Sequence, residues 1–387
     1  MTQKLELTIL MPCLNEAETL GTCINKAFQW LDEAKVAGEV VVADNGSIDG
    51  SQAIARELGA RVVDVAIRGY GAALIEGSRN AKGTYIIMGD SDESYDFSKL
   101  DNFFLELRAG ADLVMGNRFL GGIDKGAMPW KNKHIGNPAL SLIGRILFRI
   151  PIKDFHCGLR GYSKAAFQQM DLRTTGMEFA SEMVIKAKLL NLKISEVATT
   201  LSKDGRSRPP HLNPWRDGWR HLRFMISLQP AKIFIYPGVA QLLIGLSLYL
   251  PILLLGSVKI GEVGLSTNSL IFTSALFLSG YAQLILGSIL YTFAVREGVL
   301  TQKPSQKILS KIPTFEMGLL LGSGSFLLGI AGFLYSIWNW STINFGPLNN
   351  QYLTPLVSIS GTLIVFGGMT ISSSLVAAFF KIPIKKS

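Results

Sequence analysis

Gly89-Asp90-Ser91-Asp92-Glu93-Ser94-Tyr95-Asp96-Phe97 places four carboxylates within seven residues, directly after the apolar run Tyr85-Ile86-Ile87-Met88. The run reads as a short buried strand. Carboxylates massed at a strand end repel one another, and they make sense if a hard cation sits among them. Mg²⁺ or Mn²⁺ prefers carboxylate and water oxygens and commonly shares its shell with a substrate diphosphate. Taken alone, Asp90-x-Asp92 has a plainer reading, an acidic turn that caps a helix over residues 97–107.

Outward from that stretch, apolar runs at 7–11, 39–43, 61–65 and 112–116 read as further strands, and 18–34, 51–58 and 71–80 are helical by period. Strand alternating with helix at this spacing predicts an α/β domain with a parallel sheet covered on both faces. Ligands of such sheets lie beyond the carboxyl ends of the strands. Asn15 and Glu16, Asp44, Arg68 and Gly69, and Asp90 and Asp92 all fall at such ends. The strand at 112–116 delivers Arg118 to the same edge. Arg68-Gly69-Tyr70-Gly71 reads either as a phosphate loop, where glycines let backbone N–H groups approach an anion at a helix N-terminus, or as a tight turn. Arg118 either pairs with a phosphate bidentately or makes a surface ion pair.

Residues 121–153 are broken by Gly and Pro, with an amphipathic stretch at 139–148 bearing Arg145 and Arg149, suited to lie against substrate or membrane. Asp154-Phe155-His156-Cys157-Gly158-Leu159-Arg160-Gly161 then sets an Asp and an Arg around a Gly turn, an arrangement that orients an acceptor. His156 reads as a base or as a hydrogen-bonded structural histidine. Glu178 and Glu182, four apart on one helix face, read as solvated carboxylates or as cleft-facing ones. Asp204-Gly205-Arg206-Ser207-Arg208-Pro209-Pro210 is a stiff basic turn. The Trp/Arg mixture of residues 215–224 predicts a helix lying in a bilayer interface, with a water-soluble amphipathic helix as the plainer reading.

The 387 residues suffice for two domains. Residues 233–255, 270–295, 315–338 and 353–380 are apolar stretches long enough to cross a hydrocarbon core, which takes about 20 helical residues. Residues 1–6 hold no apolar signal-peptide core, which predicts that the α/β half stays in the cytoplasm. Arg296, Lys303, Lys307 and Lys311 lie between spans two and three, and Lys381, Lys385 and Lys386 in the tail, whereas the other loops hold only Lys259 and Glu262. That asymmetry predicts that both termini are cytoplasmic. The net charge is +9, and residues 203–232 hold seven Lys/Arg and two Asp/Glu, a local excess of five. Anionic lipid headgroups suit it, and the adjoining spans argue against nucleic acid. Cys13, Cys23 and Cys157 show no metal-ligand spacing and read as free thiols.

These residues resemble a glycosyltransferase of family 2 with the GT-A fold, and more narrowly the polyprenyl-phosphate glycosyltransferases, the group of dolichyl-phosphate mannose synthase. The resemblance covers residues 5–225. Pro12-x-x-Asn15-Glu16 is similar to the family's first-strand motif lining the nucleotide pocket, and 41–50 to its second-strand motif, whose Asp, here Asp44, meets the base. Asp90-x-Asp92 matches the metal-binding Asp-x-Asp. Gly116-Asn117-Arg118-Phe119 resembles the Gly-Ser-Arg-aromatic motif near the phosphates. Asp154, Gly158-Leu159-Arg160 and Arg206-x-Arg208 resemble later acceptor-side elements. Many relatives carry Gln where this chain has Ser94, and often Asp where it has Ala43. The Gln-x-x-Arg-Trp of processive polysaccharide synthases is absent.

The expectation is thus an α/β GT-A domain over 1–210, interfacial amphipathic helices over 211–232 and four transmembrane helices over 233–387. The resemblance implies inverting transfer of a sugar from a nucleoside-diphosphate sugar to polyprenyl phosphate at the cytoplasmic membrane face. Asp92, Arg118, Asp154 and Arg160 would carry the transfer. Pro12, Asn15, Glu16, Asp44, Arg68, Gly69, Asp90, Arg206 and Arg208 would bind nucleotide and phosphates, and Asp90 and Asp92 would hold Mg²⁺ or Mn²⁺. The alternatives are a membrane glycosyltransferase acting on a glycerolipid or polysaccharide, and a non-catalytic membrane scaffold. The sequence leaves a homo-oligomer open.

Overall fold

A computed structural model describes residues 5–207, 214–298, 300, 315–346 and 353–381 of the chain. It divides into two compact units, Met1–Met225 and Ile226–Ser387. The first runs β1 (Leu7–Cys13), α1 (Leu20–Glu33), β2 (Gly38–Asp44), α2 (Ser51–Glu57), β3 (Arg61–Asp64), α3 (Tyr70–Asn80), β4 (Tyr85–Met88), α4 (Asp101–Arg108), β5 (Leu113–Asn117), α5 (Arg118–Gly121), α6 (Asn137–Phe148), β6 (Arg160–Ser163), α7 (Lys164–Met170), α8 (Phe179–Leu189), β7 (Ile194–Ala198) and most of α9 (Pro214–Ser227).

Seven strands form one sheet in the order β3-β2-β1-β4-β6-β5-β7. β1 pairs parallel with β2 and β4, β2 with β3, and β5 with β7. β6 runs antiparallel between β4 and β5. The central strands are covered on both faces and are therefore apolar throughout, with Leu7, Ile9, Leu10 and Met11 fully buried. α1 offers Leu20, Cys23, Ile24, Ala27, Trp30 and Leu31 at the three-and-four spacing of one helix face, and Trp30 meets Phe104 of α4 edge-on at 5.7 Å between ring centroids. The helix predicted at 97–107 starts later, at Asp101. Phe97 is a core side chain, and Asp96 accepts from the Ser98 N–H in a turn.

Register sets the site. Cys13 lies opposite Asp44, Leu10 opposite Met88, and Met88 opposite Arg160. The chain leaving β1, β2 and β4 therefore meets the chain entering β6 at one sheet edge.

The second unit holds α10 (Tyr236–Leu255), a hairpin of β8 (Ser257–Ile260) and β9 (Val263–Ser266), α11 (Leu270–Arg296), α12 (Phe315–Ser341) and α13 (Leu353–Lys381). Four stretches, Ala231–Leu255, Thr267–Arg296, Phe315–Ser341 and Leu353–Phe380, are long and apolar enough to cross a membrane. Gly238 and Gly280 bring the backbones of α10 and α11 together, and Gly322 and Gly367 those of α12 and α13, where a side chain would find no room. Gln283 donates to Gln241 at 3.0 Å, and the hydroxyls of Tyr281 and Thr370 lie 2.8 Å apart. Lys303, Lys307, Lys311, Lys385 and Lys386 lie outside the described residues.

Candidate active site

Two loops at the sheet edge are built on Asn15 and Asp44. Asn15 sits in the left-handed region, φ 59, which Asn tolerates better than most residues. Its Oδ1 accepts from the Ile48 N–H and its own N–H donates to Ser47 Oγ, both at 2.8 Å. The Glu16 N–H donates to Ser51 Oγ, and the Pro12 carbonyl accepts from Ser91 Oγ at 2.8 Å. Asp44 is 1% exposed. Its Oδ2 accepts from the N–H groups of Gly46 and Ser47 and from Gln52 Nε2, whereas its buried Oδ1 has no hydrogen-bond partner among the described residues. Such an oxygen is one a ligand N–H would satisfy.

Beyond β4, the Tyr70 hydroxyl donates to Asp90 Oδ1 at 2.9 Å. Gly158 lies against Asp90 Oδ2 so closely that any side chain there would overlap it. Burial, and then the charge of Asp92, push the Asp90 carboxyl up to about 7. Asp92 Oδ1 accepts from the N–H and hydroxyl of Ser94, so Ser94 fixes this carboxylate. Asp92 Oδ2 takes Arg206 Nη2 at 2.8 Å, while Arg206 Nη1 reaches Glu16 Oε1 at 3.1 Å and its Nη2 also meets Asp204 at 2.9 Å. One guanidinium thus stands among three carboxylates. The segment carrying it is a strap: Ser202 N–H donates to the Ser94 carbonyl, Gly205 N–H to the Asp92 carbonyl, and Ser207 N–H to Glu18 Oε2. Arg208 lies outside the described residues. Asp96 accepts from Ser98 and lies 3.4 Å from Lys99 Nζ, engaged within the turn before α4.

Three expectations change. Arg118 is neither a surface residue nor held out for a phosphate: its Nε and Nη2 bond Asp154 Oδ2 and Oδ1 at 2.7 and 2.8 Å, and its backbone N–H adds a third bond at 3.1 Å. The two side chains are 9% and 0% exposed, so this is a buried ion pair joining β5 to the turn before β6. Asp154 is spent on that pair. Arg160 is 0% exposed, with Nε on the Cys157 carbonyl, Nη1 on that of Ala180 and Nη2 on that of Phe155. It fastens the 155–160 turn to the start of α8.

The third correction concerns Arg68-Gly69-Tyr70-Gly71. The N-terminus of α3 is met by the chain itself: the Ala72 N–H donates to the Thr175 carbonyl at 3.0 Å, and the backbone of 174–176 fills the space where side chains of residues 69 and 71 would go. The Gly69 N–H donates to Asn45 Oδ1 at 2.6 Å. The glycines admit a neighbouring loop. Arg68 is exposed beside them. Tyr70, hidden between the glycines, and Asn45, which spans the two loops, were missed as site residues, and only the polar tip of an aromatic at a strand-edge turn signalled the first.

The carboxylates four apart on α8 are also engaged. Glu178 takes both arms of Arg220 from α9, at 2.8 and 3.0 Å. Glu182, 0% exposed, accepts from the N–H groups of Arg173 and Thr174 and pairs with Lys186 Nζ at 2.8 Å. His156 is structural: Ser181 Oγ lies between its Nε2 at 3.3 Å and His221 Nδ1 at 2.9 Å, with the imidazole rings 4.5 Å apart. Burial holds His156 well below the ordinary histidine range and His221 at about 4.

Comparison with known proteins accords with this architecture. The model described as glycosyl transferase family 2 matches residues 8–171, and that of the glycosyltransferase family 2 C-terminal transmembrane region matches 288–381. With the four apolar helices, the second match makes this a membrane protein. The chain is 33% identical over 373 residues to the low-salt glycan biosynthesis hexosyltransferase Agl6 of Haloferax volcanii, covering 95% of this chain and 88% of that one. A dolichyl-phosphate hexose transferase of the same organism is 26% identical over 214 residues, 55% of this chain and 89% of that one. Glucosyl-3-phosphoglycerate synthase from Mycobacterium tuberculosis is 20% identical, over 57% of this chain and 79% of that one, with a TM-score of 0.46. The mostly parallel sheet, the Asp-x-Asp at its edge and a relative matched along nearly its whole length lead to one statement: the chain belongs to glycosyltransferase family 2, an enzyme with a GT-A domain followed by four membrane helices.

Proposed function

We propose that this chain transfers a hexose, with inversion, from a nucleoside-diphosphate sugar to a polyprenyl phosphate at the cytoplasmic face of the membrane. Residues 1–210 would carry the chemistry, 211–232 would lie at the interface and 233–387 would anchor the enzyme, both termini being cytoplasmic. One observation carries the choice of acceptor: Asp154, in the turn before β6, and Glu178 and Glu182, four apart at α8, are carboxylates that could deprotonate an acceptor, yet each is engaged by an arginine, a lysine or backbone N–H groups. An alcohol acceptor needs a deprotonating side chain. A phosphomonoester, with a second pKa of about 6, is already largely dianionic at neutral pH. The relative named as a dolichyl-phosphate hexose transferase points the same way.

On this reading the Asn15 and Asp44 loops hold the nucleoside, with Asp44 Oδ1 accepting an N–H of the base. Asp90 and Asp92 would hold a divalent cation, Mg²⁺ or Mn²⁺, which supplies Lewis-acid neutralisation of the departing diphosphate. One feature supports the fit: a cation, the Arg206 guanidinium, already lies against Asp92. Arg206 brings a planar fork that suits phosphate oxygens. An acceptor phosphate oxygen attacks the anomeric carbon, and the bond from that carbon to the diphosphate breaks with its electron pair leaving on the nucleoside diphosphate.

Purified enzyme in nanodiscs, given UDP- and GDP-sugars, tests this with undecaprenyl or dolichyl phosphate against the matching free alcohol. The phosphate is expected to accept the sugar and the alcohol to remain unmodified. Equal use of the alcohol, or transfer only to a glycerolipid or polysaccharide, would refute the proposal.

A further inference from the structure

At the N-terminus of α3 the Ala72 N–H is taken by the Thr175 carbonyl, and three separate contacts fix Arg68-Gly69-Tyr70-Gly71. Asn45, just past β2, reaches across: its Oδ1 accepts from the Gly69 N–H at 2.6 Å and its Nδ2 donates to the Ile67 carbonyl at 2.8 Å. Gly69 and Gly71 are pressed against the backbone of 174–176 with no space for side chains. That loop is in turn held by Glu182, which accepts from the N–H groups of Arg173 and Thr174 and from Thr174 Oγ1. What all three hold still is the residue between the glycines. Its ring enters the protein beside Asp90, and its hydroxyl donates to Asp90 Oδ1. The other Asp90 oxygen lies over Gly158.

We propose that Tyr70 is a positioning residue for the divalent cation: its hydroxyl orients the Asp90 carboxylate from outside the cation's own shell, and Asn45 and the 174–176 loop exist to hold it there. The proposal rests on the reading that Asp90 and Asp92 hold the cation. A carboxylate that ligates through one oxygen must be kept from rotating, and a hydrogen bond from a rigidly mounted donor does this at no cost in charge. The motif that resembles a phosphate loop in sequence would thereby serve the donor indirectly, by steadying a carboxylate that would hold the cation.

Packing alone would be satisfied by phenylalanine, so the hydroxyl is the quantity to test. Full-length Tyr70→Phe and wild type in nanodiscs are titrated with Mn²⁺ by electron paramagnetic resonance, with saturating UDP or GDP, and their thermal melting is compared. Tyr70→Phe is expected to melt like wild type but to bind Mn²⁺ about 10- to 100-fold more weakly, the usual effect of losing an outer-shell partner. The Mn²⁺ concentration for half-maximal turnover should rise by the same factor, with kcat at saturating Mn²⁺ largely kept. Unchanged Mn²⁺ affinity, or a kcat loss that Mn²⁺ does not restore, overturns the proposal. If Tyr70→Phe does not fold, Tyr70→Gln, which keeps a donor, should bind Mn²⁺ more tightly than Tyr70→Met, and equal affinities overturn it. Wild type that binds no Mn²⁺ with either nucleotide overturns the cation reading itself, a failure visible before any variant is made.

Discussion

Arg118→Ala separates a structural from a catalytic arginine. The substitution removes both guanidinium bonds to Asp154, whose side chain is 0% exposed, and leaves that carboxylate with the N–H of residue 118 and no counter-charge. Breaking one side of a buried ion pair costs about 3–5 kcal/mol. For a unit of this size each kcal/mol moves the melting point by about 2–4 °C, so a fall of roughly 6–20 °C is expected. A thiol-reactive dye reads it cleanly. Cys13, Cys23 and Cys157 all lie in the first unit, 2%, 1% and 0% exposed. Burial pushes the Cys157 thiol up to about 12, so it reacts only when that unit opens. Replacing both partners, Arg118→Met with Asp154→Leu, should recover most of the loss, because no charge is then left buried. An Arg118→Ala enzyme that melts within about 2 °C of wild type yet no longer transfers sugar would refute this reasoning. It would return Arg118 to the substrate phosphates.

Removal of divalent cations with EDTA, or Asp92→Ala, should lower transfer about 1,000-fold, or about 4 kcal/mol of transition-state stabilisation; full activity in EDTA would count against the cation. His221 is depressed by burial to about 4 from 6.5, so the stability it contributes is complete above pH 6.5 and is lost as pH falls toward 4. Dye-monitored melting of wild type should drop across that window more than that of His221→Gln, and parallel profiles would show that this histidine is not the cause. Glu262→Cys and Lys307→Cys should react with an impermeant maleimide from opposite sides of the membrane, as the lysine asymmetry requires; labelling from one side for both would mean a wrong orientation or span count.

The sequence revealed what is periodic and apolar, and little of what is already paired. The strands at Leu7–Cys13, Gly38–Asp44 and Tyr85–Met88 and the four spans are runs whose burial leaves no choice of residue. β6 escaped notice because Arg160-Gly161-Tyr162-Ser163 is central yet polar. Its arginine is satisfied by three carbonyls and its tyrosine by Ser78 Oγ at 2.7 Å, so it needs no apolar run. Strand-end residues were placed at the right edge, but residue type cannot tell a charge awaiting substrate from one already answered. Arg118 and Asp154 are 36 positions apart and Glu178 and Arg220 are 42 apart, and no local pattern couples them. Arg68-Gly69-Tyr70-Gly71 misled for a related reason. Two glycines signal close approach of a backbone, but not whose.

Setting aside the internally paired groups changes the electrostatics of the proposed reaction. Once Arg118 is spent on Asp154, Arg220 on Glu178 and Lys186 on Glu182, the group at the Asp-x-Asp is Glu16, Asp92 and Asp204 around Arg206, with Asp90 next to Asp92. Carboxylates outnumber the guanidinium there, and burial, followed by the charge of Asp92, drives Asp90 toward its neutral form. A nucleoside diphosphate approaching such a site meets like charge, and among the described residues Arg206 is already paired with three of these carboxylates. A divalent cation held by Asp90 and Asp92 would supply the positive charge this group lacks, and Arg206 would then be able to offer its fork to the phosphate oxygens. On this reasoning nucleotide should bind poorly without the cation, and Arg206→Ala should weaken nucleotide binding while strengthening the hold of Mn²⁺ alone, since it removes the competing charge from Asp92. Calorimetric titration of each ligand separately into wild type and Arg206→Ala distinguishes the cases, and parallel weakening of both ligands would mean that Arg206 and the cation do not share a site.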